Sequence, residues 1–223
     1  MDSYLVKRVA PDAIPALADG WDSPAWKAAG IVSLNWQWGE KSPLQPKVQA
    51  KLLHDGRILY GIFHVDAKAV LARAKRFNEC VCVDSCVEFF FRPRPDKGYL
   101  NLEMSAGGAK LSSYITDWVR TEDGFKEYVQ LPEEMATLMP TLGTLGLIPE
   151  ERKGDFTWTM AFQIPPAVPA AYVGELGELS GQKWTANFYS CGDHLEHPFW
   201  QAWQGVPTLN FHQPEYFGTL LFQ

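Results

Sequence analysis

Two glutamates stand in runs that alternate as β-strands do: Glu88 in VDSCVEFFFRP, residues 83–93, and Glu103 in YLNLEMS, residues 99–105. Successive side chains of an extended chain point to opposite faces. Val83, Ser85, Val87, Phe89 and Phe91 therefore share one face, and Asp84, Cys86, Glu88, Phe90 and Arg92 share the other. On this reading Glu88 lies on a sheet face of mixed polar and aromatic character, outside the core. The intervening RPRPDKG reverses the chain, with its centre at Pro95-Asp96 or one residue later with a bulge at Gly98. If Leu100 and Leu102 join Val87 and Phe89 inside, Glu88, Tyr99, Asn101 and Glu103 share a surface. Two neighbouring carboxylates repel unless a cation or hydroxyl donors lie between them. Sugar hydroxyls meet that demand.

A second concentration of polar and aromatic groups follows in NFYSCGDHLEHPFWQAWQGVPTLNFHQPEYFG, residues 187–218. It sets Tyr189, Trp200, Trp203 and Phe211 among Asn187, Asp193, His194, His197, Asn210 and His212. Aromatic rings cover the apolar face of a pyranose while carboxylates and amides bind its rim, the division of labour of a ligand pocket. A minor core sealed beneath a long loop is the alternative, expected for two of the four aromatics. Other chemistries remain open at this point. Glu88 and Glu103 on adjacent strands could meet the carboxyl spacing of a glycoside hydrolase, about 5 to 5.5 Å in retaining enzymes. Haem ligation by Met104 or Met160 lacks an evident facing histidine. An interaction domain with a decayed sugar site is the third alternative.

The chain has 223 residues, 46% of them hydrophobic and 21% charged, which predicts one core and a single domain over residues 1–223. A net charge of −6 argues against a nucleic-acid partner, because phosphate-backbone affinity rests on clustered Lys and Arg. Nine tryptophans exceed the needs of one core and point to a stacking surface. No apolar run approaches the ~20 residues of a membrane span, and MDSYLVKRVAP lacks a signal peptide's apolar block, so no membrane partner and a cytoplasmic setting are expected. A periplasmic or extracellular setting is the alternative. Cys80, Cys82, Cys86 and Cys191 show neither a disulfide framework nor the paired CxxC spacing of zinc sites. Free thiols, buried or half-buried in sheet, are expected.

These groups need a scaffold, and extended segments dominate. KVQAKLLHDGRILYGIFHV, residues 47–65, reads as a hairpin closed by a two-residue Asp55-Gly56 turn. Val48, Ala50 and Leu52 then lie beside Leu59, Phe63 and Val65 in the core, with Lys47, Gln49, Lys51, Tyr60 and His64 on a decorated outer face. FTWTMAFQI, residues 156–164, buries Phe156, Trp158, Met160, Phe162 and Ile164 by strict alternation. Further strands are expected at 99–105, 110–118, 184–190 and 216–222. The fold class predicted is all-β: an antiparallel β-sandwich with immunoglobulin-like or jelly-roll-like layers and a few short helices. Helices are expected at SPAWKAA, capped by Ser23, and around DAKAVLARA, residues 66–74. Residues 119–152 show no clear pattern.

Taken in order, WDSPAWKAA, LHDGRILYGIFHVDAK, VDSCVEFFFRP, YLNLEMSAGG, ANFYSCGD and FHQPEYFGTLLF resemble carbohydrate-binding module family 9 and its family 9-like relatives. The resemblance implies a non-catalytic β-sandwich that binds the ends of glucan or xylan chains. It also implies a sugar held between two tryptophans and hydrogen-bonded by carboxylates and amides. Glu88 falls on the family's sugar-binding glutamate, and Phe211 falls where one sandwiching tryptophan is expected. The other tryptophan position is occupied by ECVCVDSC, with Cys82 nearest, so Trp200, Trp203 or Trp38 would have to substitute. The candidate ligand-binding set is Glu88, Tyr99, Asn101, Glu103, Trp200, Trp203, Asn210, Phe211 and His212. The resemblance further implies a glycoside hydrolase partner such as a xylanase, in bacterial polysaccharide catabolism. Structural calcium is also implied, for which Asp66, Asp84, Asp193 and backbone carbonyls are the oxygen ligands at hand.

Overall fold

The computed structural model describes residues 1–40, 42–122 and 124–223. Along the chain run β1 (Ser3–Arg8), β2 (Val32–Ser33), β3 (Trp36–Gln37), β4 (Lys47–His54), β5 (Leu59–Ala72), β6 (Cys86–Arg92) and β7 (Tyr99–Ser105). Then come β8 (Lys110–Thr121), β9 (Gly124–Gln130), α1 (Glu133–Leu138), β10 (Thr141–Gly143) and β11 (Ile148–Ile164). The chain closes with α2 (Ala167–Val173), β12 (Lys183–Cys191), β13 (Trp200–Ala202) and β14 (Gly218–Phe222). The strands form two layers. One has the order β1-β14-β12-β6-β7-β8-β9 with β13 and β3 at its margin; the other runs β10-β11-β5-β4-β1 with β2 on β4. β1 serves both. Its Ser3–Val6 half pairs in parallel with Thr219–Phe222 of β14, while Lys7 and Arg8 pair in parallel with Leu53 and His54 of β4.

The core lies between the layers, where the inward alternates meet. Phe89 and Phe91 of β6, Leu100 and Leu102 of β7 and Phe188 of β12 face Phe63 of β5 and Trp158, Met160 and Phe162 of β11. The ring of Phe89 sits 5.6 Å from that of Phe162, and Phe63 meets Phe188 edge-on at 5.9 Å. Gly61 makes this packing feasible: a Cβ there would lie 2.0 Å from the Phe162 ring. Overpacking of that kind is not relieved by side-chain rotation in a filled interior. No helix among the described residues is long and apolar enough to cross a membrane.

Four expectations change. The β4–β5 connection is a four-residue loop, with His54 opposite Leu59, rather than a two-residue turn. Asp55 shapes it: Oδ1 accepts from the amides of Arg57 and Ile58, each at 2.8 Å, and Oδ2 accepts from the Tyr60 hydroxyl at 2.8 Å. Because the shift is by two residues, the faces are preserved. Residues 66–74 contain no helix, since β5 continues to Ala72 and pairs with β11 along its length. Val70 and Ala72 enter the main core while Leu71 and Ala69 pack against Leu195 and Phe199, so both faces are covered and pairing overrides the helix propensity of alanine. Lys51 and Tyr60 are buried beneath the N-terminal segment, where Trp26 joins Leu53, Tyr60 and Ile62 and the Lys51 ammonium lies 4.0 Å over the Trp21 ring. The expected helix at SPAWKAA is a short 3₁₀ turn, Pro24–Trp26, capped by Ser23.

Candidate functional site

The outer faces of β6, β7, β8 and β12 form the floor of a cavity of about 770 Å³. Register places Glu88 opposite Glu103 and Phe90 opposite Asn101, so the β6–β7 turn centres at Pro95-Asp96. On the other side Glu88 faces Tyr189 of β12, and Asn101 faces Ser113 of β8. Asn101 Nδ2 donates to Glu103 Oε1 at 2.7 Å while its Oδ1 accepts the Ser113 amide, which fixes the amide's orientation. The Cys191 thiol donates to Glu88 Oε1 at 3.3 Å.

Three walls rise around this floor. The loop before β6 brings Cys80 and Cys82, held at its base by Asp84, which accepts from the amides of Arg73 and Ala74 and from Ser105 Oγ. The long β8–β9 hairpin contributes Arg120, Phe125, Tyr128 and Gln130, with the Arg120 guanidinium 4.3 Å over the Phe125 ring. A strap after β12 supplies Asp193, Trp200, Leu209, Asn210, Phe211 and His212. It is pinned by polar contacts: Tyr189 Oη donates to the Phe211 carbonyl at 2.8 Å, and Tyr99 Oη lies 2.8 Å from His212 Nδ1. Phe211 stacks flat on Tyr189 at 4.3 Å, with ring planes 7° apart. Trp200 Nε1 donates to Asp193 Oδ1 at 2.8 Å, which orients the indole at the rim.

The lid changes the electrostatics of the floor. Glu88 is only 1% exposed, so the expectation of an open-face carboxylate is corrected: it points away from the sandwich core, yet strap and loop cover it. Burial raises its carboxyl well above the ordinary range, and Glu103 raises it further. Burial also pushes Glu103 up to about 7, against the opposing hydrogen bond from Asn101. His212 is held well below its ordinary value by burial and then by Arg120, which makes it a neutral imidazole. The floor thus offers carboxyl groups able to donate or accept, one fixed amide, and aromatic edges above.

The sequence profile of carbohydrate-binding family 9 matches residues 17–222. The chain belongs to carbohydrate-binding family 9. No curated protein matches it. Among solved structures, this family 9 chain is similar to a candidate carbohydrate-binding protein from Bacteroides uniformis ATCC 8492, at 28% identity and a TM-score of 0.84 over 100% of this chain and 99% of that one. It is also similar in fold to a family 9 module from Caldicellulosiruptor kristjanssonii in complex with glucose, at 13% identity and a TM-score of 0.65, covering 100% and 96% of the two chains. The same organism's module in complex with cellotriose superposes with a TM-score of 0.62 at 13% identity, covering 100% and 94%.

Of the residues expected from the sequence, the family 9 pocket gathers Glu88, Asn101, Glu103, Trp200, Asn210, Phe211 and His212. Tyr99 lies fully buried beneath the pocket and props His212. Trp203 is not a pocket residue: it packs edge-on against Phe188 at 5.7 Å and occupies the space that a Cβ on Gly218 would need. Trp38 stands behind Phe211 at 5.4 Å and supports it. Arg120, Phe125, Tyr128, Gln130 and Ser113 were not foreseen. Cys80 and Cys82 lie in the loop rather than in sheet. The implied calcium ligands do not fit a cage. Asp84 already accepts from two backbone amides and from Ser105 Oγ, Asp66 accepts from Thr157 and Asp193 from Trp200, and among the described residues no three Asp, Glu or His side chains converge.

Proposed function

We propose that the protein binds a neutral, gluco-configured mono- or oligosaccharide in this pocket and does not cleave it. The observation that carries the reading is the meeting of Glu88, Asn101 and Glu103 on one face with Asn210 and Phe211 of the strap, polar groups for the hydroxyl rim beside a ring for the apolar face. Glucose and cellotriose in the Caldicellulosiruptor relatives support the gluco assignment. Membership of a carbohydrate-binding family supports binding without hydrolysis. The four free thiols favour a reducing compartment, where short oligosaccharides rather than polymer would be the ligand. A glycoside hydrolase acting on the same sugars is the partner this reading points to, and co-purification with one checks that finer claim.

Titration calorimetry with gluco-, xylo- and manno-oligosaccharides tests the binding, with reducing-sugar release as the parallel assay. Binding without turnover is the expected result. Silence across all three series at millimolar ligand, or measurable sugar release, overturns it. Phe211→Ala should weaken the sugar by about 1 kcal/mol, roughly fivefold, through loss of ring contact. Its melting temperature should also fall, because the ring stacks on Tyr189.

A further inference from the structure

All four cysteines gather at one end of the pocket, although their spacing in the chain does not announce a site. Cys86 opens β6 and Cys191 closes β12, and the two are direct cross-strand partners. Glu88 lies two residues along β6 on the same face. One Sγ from each cysteine and a carboxylate oxygen of Glu88 all lie within 4.8 Å of one another, and the three residues are between 0% and 2% exposed. Cys80 and Cys82 stand at the rim with their Sγ atoms 3.0 Å apart.

The inner triad is chemically odd as a mere packing cluster. A carboxyl buried to this degree normally meets an ammonium, a guanidinium or several amide donors. Glu88 instead meets thiols, which are weak donors, chiefly Cys191 at 3.3 Å. Two sulfurs and one oxygen in mutual reach match the donor set of a soft or borderline cation, not that of calcium or magnesium. In a tetrahedral zinc site with metal–ligand distances of about 2.0 to 2.3 Å, ligand atoms sit roughly 3.5 to 3.8 Å apart, a spacing compatible with the 4.8 Å limit that encloses the three donor atoms here. Glu88 and Cys191 both face the cavity, which supplies the entry path.

We propose that Cys86, Glu88 and Cys191 form a binding site for a soft divalent cation of the zinc class, open to the pocket at its fourth position. Loading exchanges the two thiol protons and any proton on Glu88 for the metal, and those protons leave to solvent. The site shares Glu88 with the proposed sugar pocket but does not rest on sugar binding, and its test uses no sugar.

Reduced, chelator-stripped protein is titrated with Co²⁺, and the thiolate-to-metal charge-transfer band is followed, then displaced with Zn²⁺. One equivalent per chain is expected, together with a zinc-dependent rise in melting temperature. Cys86→Ala and Cys191→Ala should each weaken binding by more than roughly 100-fold, beyond what losing an outer partner of a ligand costs. Both keep a small apolar group, and a metal-free melt confirms that they fold. The Cys80→Ser/Cys82→Ser double variant should retain the band. Absence of a band in the unaltered protein overturns the proposal. So does a band that survives in Cys191→Ala but vanishes in the rim variant, or a Cys86–Cys191 disulfide persisting after reduction.

Discussion

Glu88 carries more of this molecule's chemistry than any other side chain, and its environment sets a sharp expectation. The carboxyl is buried beside a second buried carboxyl, so its charged form is disfavoured in the unliganded protein. Replacement by glutamine preserves shape and removes a latent buried charge. In chelator, Glu88→Gln should therefore melt no lower than the parent. Its sugar affinity should nonetheless fall by about 1 kcal/mol, roughly fivefold, because the amide NH₂ only donates where the carboxyl hydroxyl can donate or accept. Calorimetry paired with thermal melts checks both halves, and a drop in melting temperature with unchanged affinity would make Glu88 purely structural. The membership of Glu88, Asn101 and Glu103 in one face was legible from period-two alternation alone. Their burial was not, because the cover comes from a strap more than 80 residues downstream in the chain, and no local pattern encodes it. Trp203 was misplaced for a related reason: three residues after Trp200, it sits past the end of β13 and turns into the core.

Among elements, the β4–β5 loop holds a pH-sensitive contact. His54 is fully buried; its Nδ1 accepts the Gly56 amide at 3.0 Å, which leaves the Nε2 proton for the Gln223 carbonyl at 3.0 Å. The Gly56 bond requires the neutral ring, and burial lowers its pKa below the ordinary 6.5 against the bond to Gln223, which favours the charged form. The unfolded chain therefore takes up a proton first as pH falls. Stability from this group is complete above the unfolded value and declines below pH 6.5 until the folded ring titrates too. Between pH 7 and pH 5 the parent should lose melting temperature relative to His54→Gln. The slope the two share carries opposing contributions: His212, also buried and neutral, acts in the same sense as His54, while Glu103, raised by burial to about 7, adds stability as pH falls. Strands β4, β6, β7, β12 and β14 were readable because each alternates cleanly. β8 was readable at 110–118, but its continuation to Thr121 and its return as β9 were not, although Gly124 marks the turn: the outward residues are mixed and largely exposed, so periodicity fades where Arg120, Phe125 and Tyr128 build the wall. The DAKAVLARA segment failed in the opposite sense, since alanines suit a helix in isolation and a strand once both faces are covered.

For the whole molecule, length and composition led to the expectation of one unit and the alternating segments to an all-β fold, while the way the two layers are tied together was not expressed in any local run. That tie is β1, parallel to β14 from Ser3↔Thr219 to Val6↔Phe222 and flanked by the Thr219 amide on the Asp2 carbonyl and the Gln223 amide on the Val6 carbonyl, each at 3.0 Å. Parallel neighbours enter and leave at opposite ends. Tension applied through the two ends of the chain therefore drags β1 and β14 lengthwise past each other, and every bond between them bears the load at once. Handles at Lys47 and Asp66, which face each other at the open end of the β4–β5 pair, would instead part that pair one bond at a time. Single-molecule extension should record a markedly higher rupture force in the first geometry than in the second.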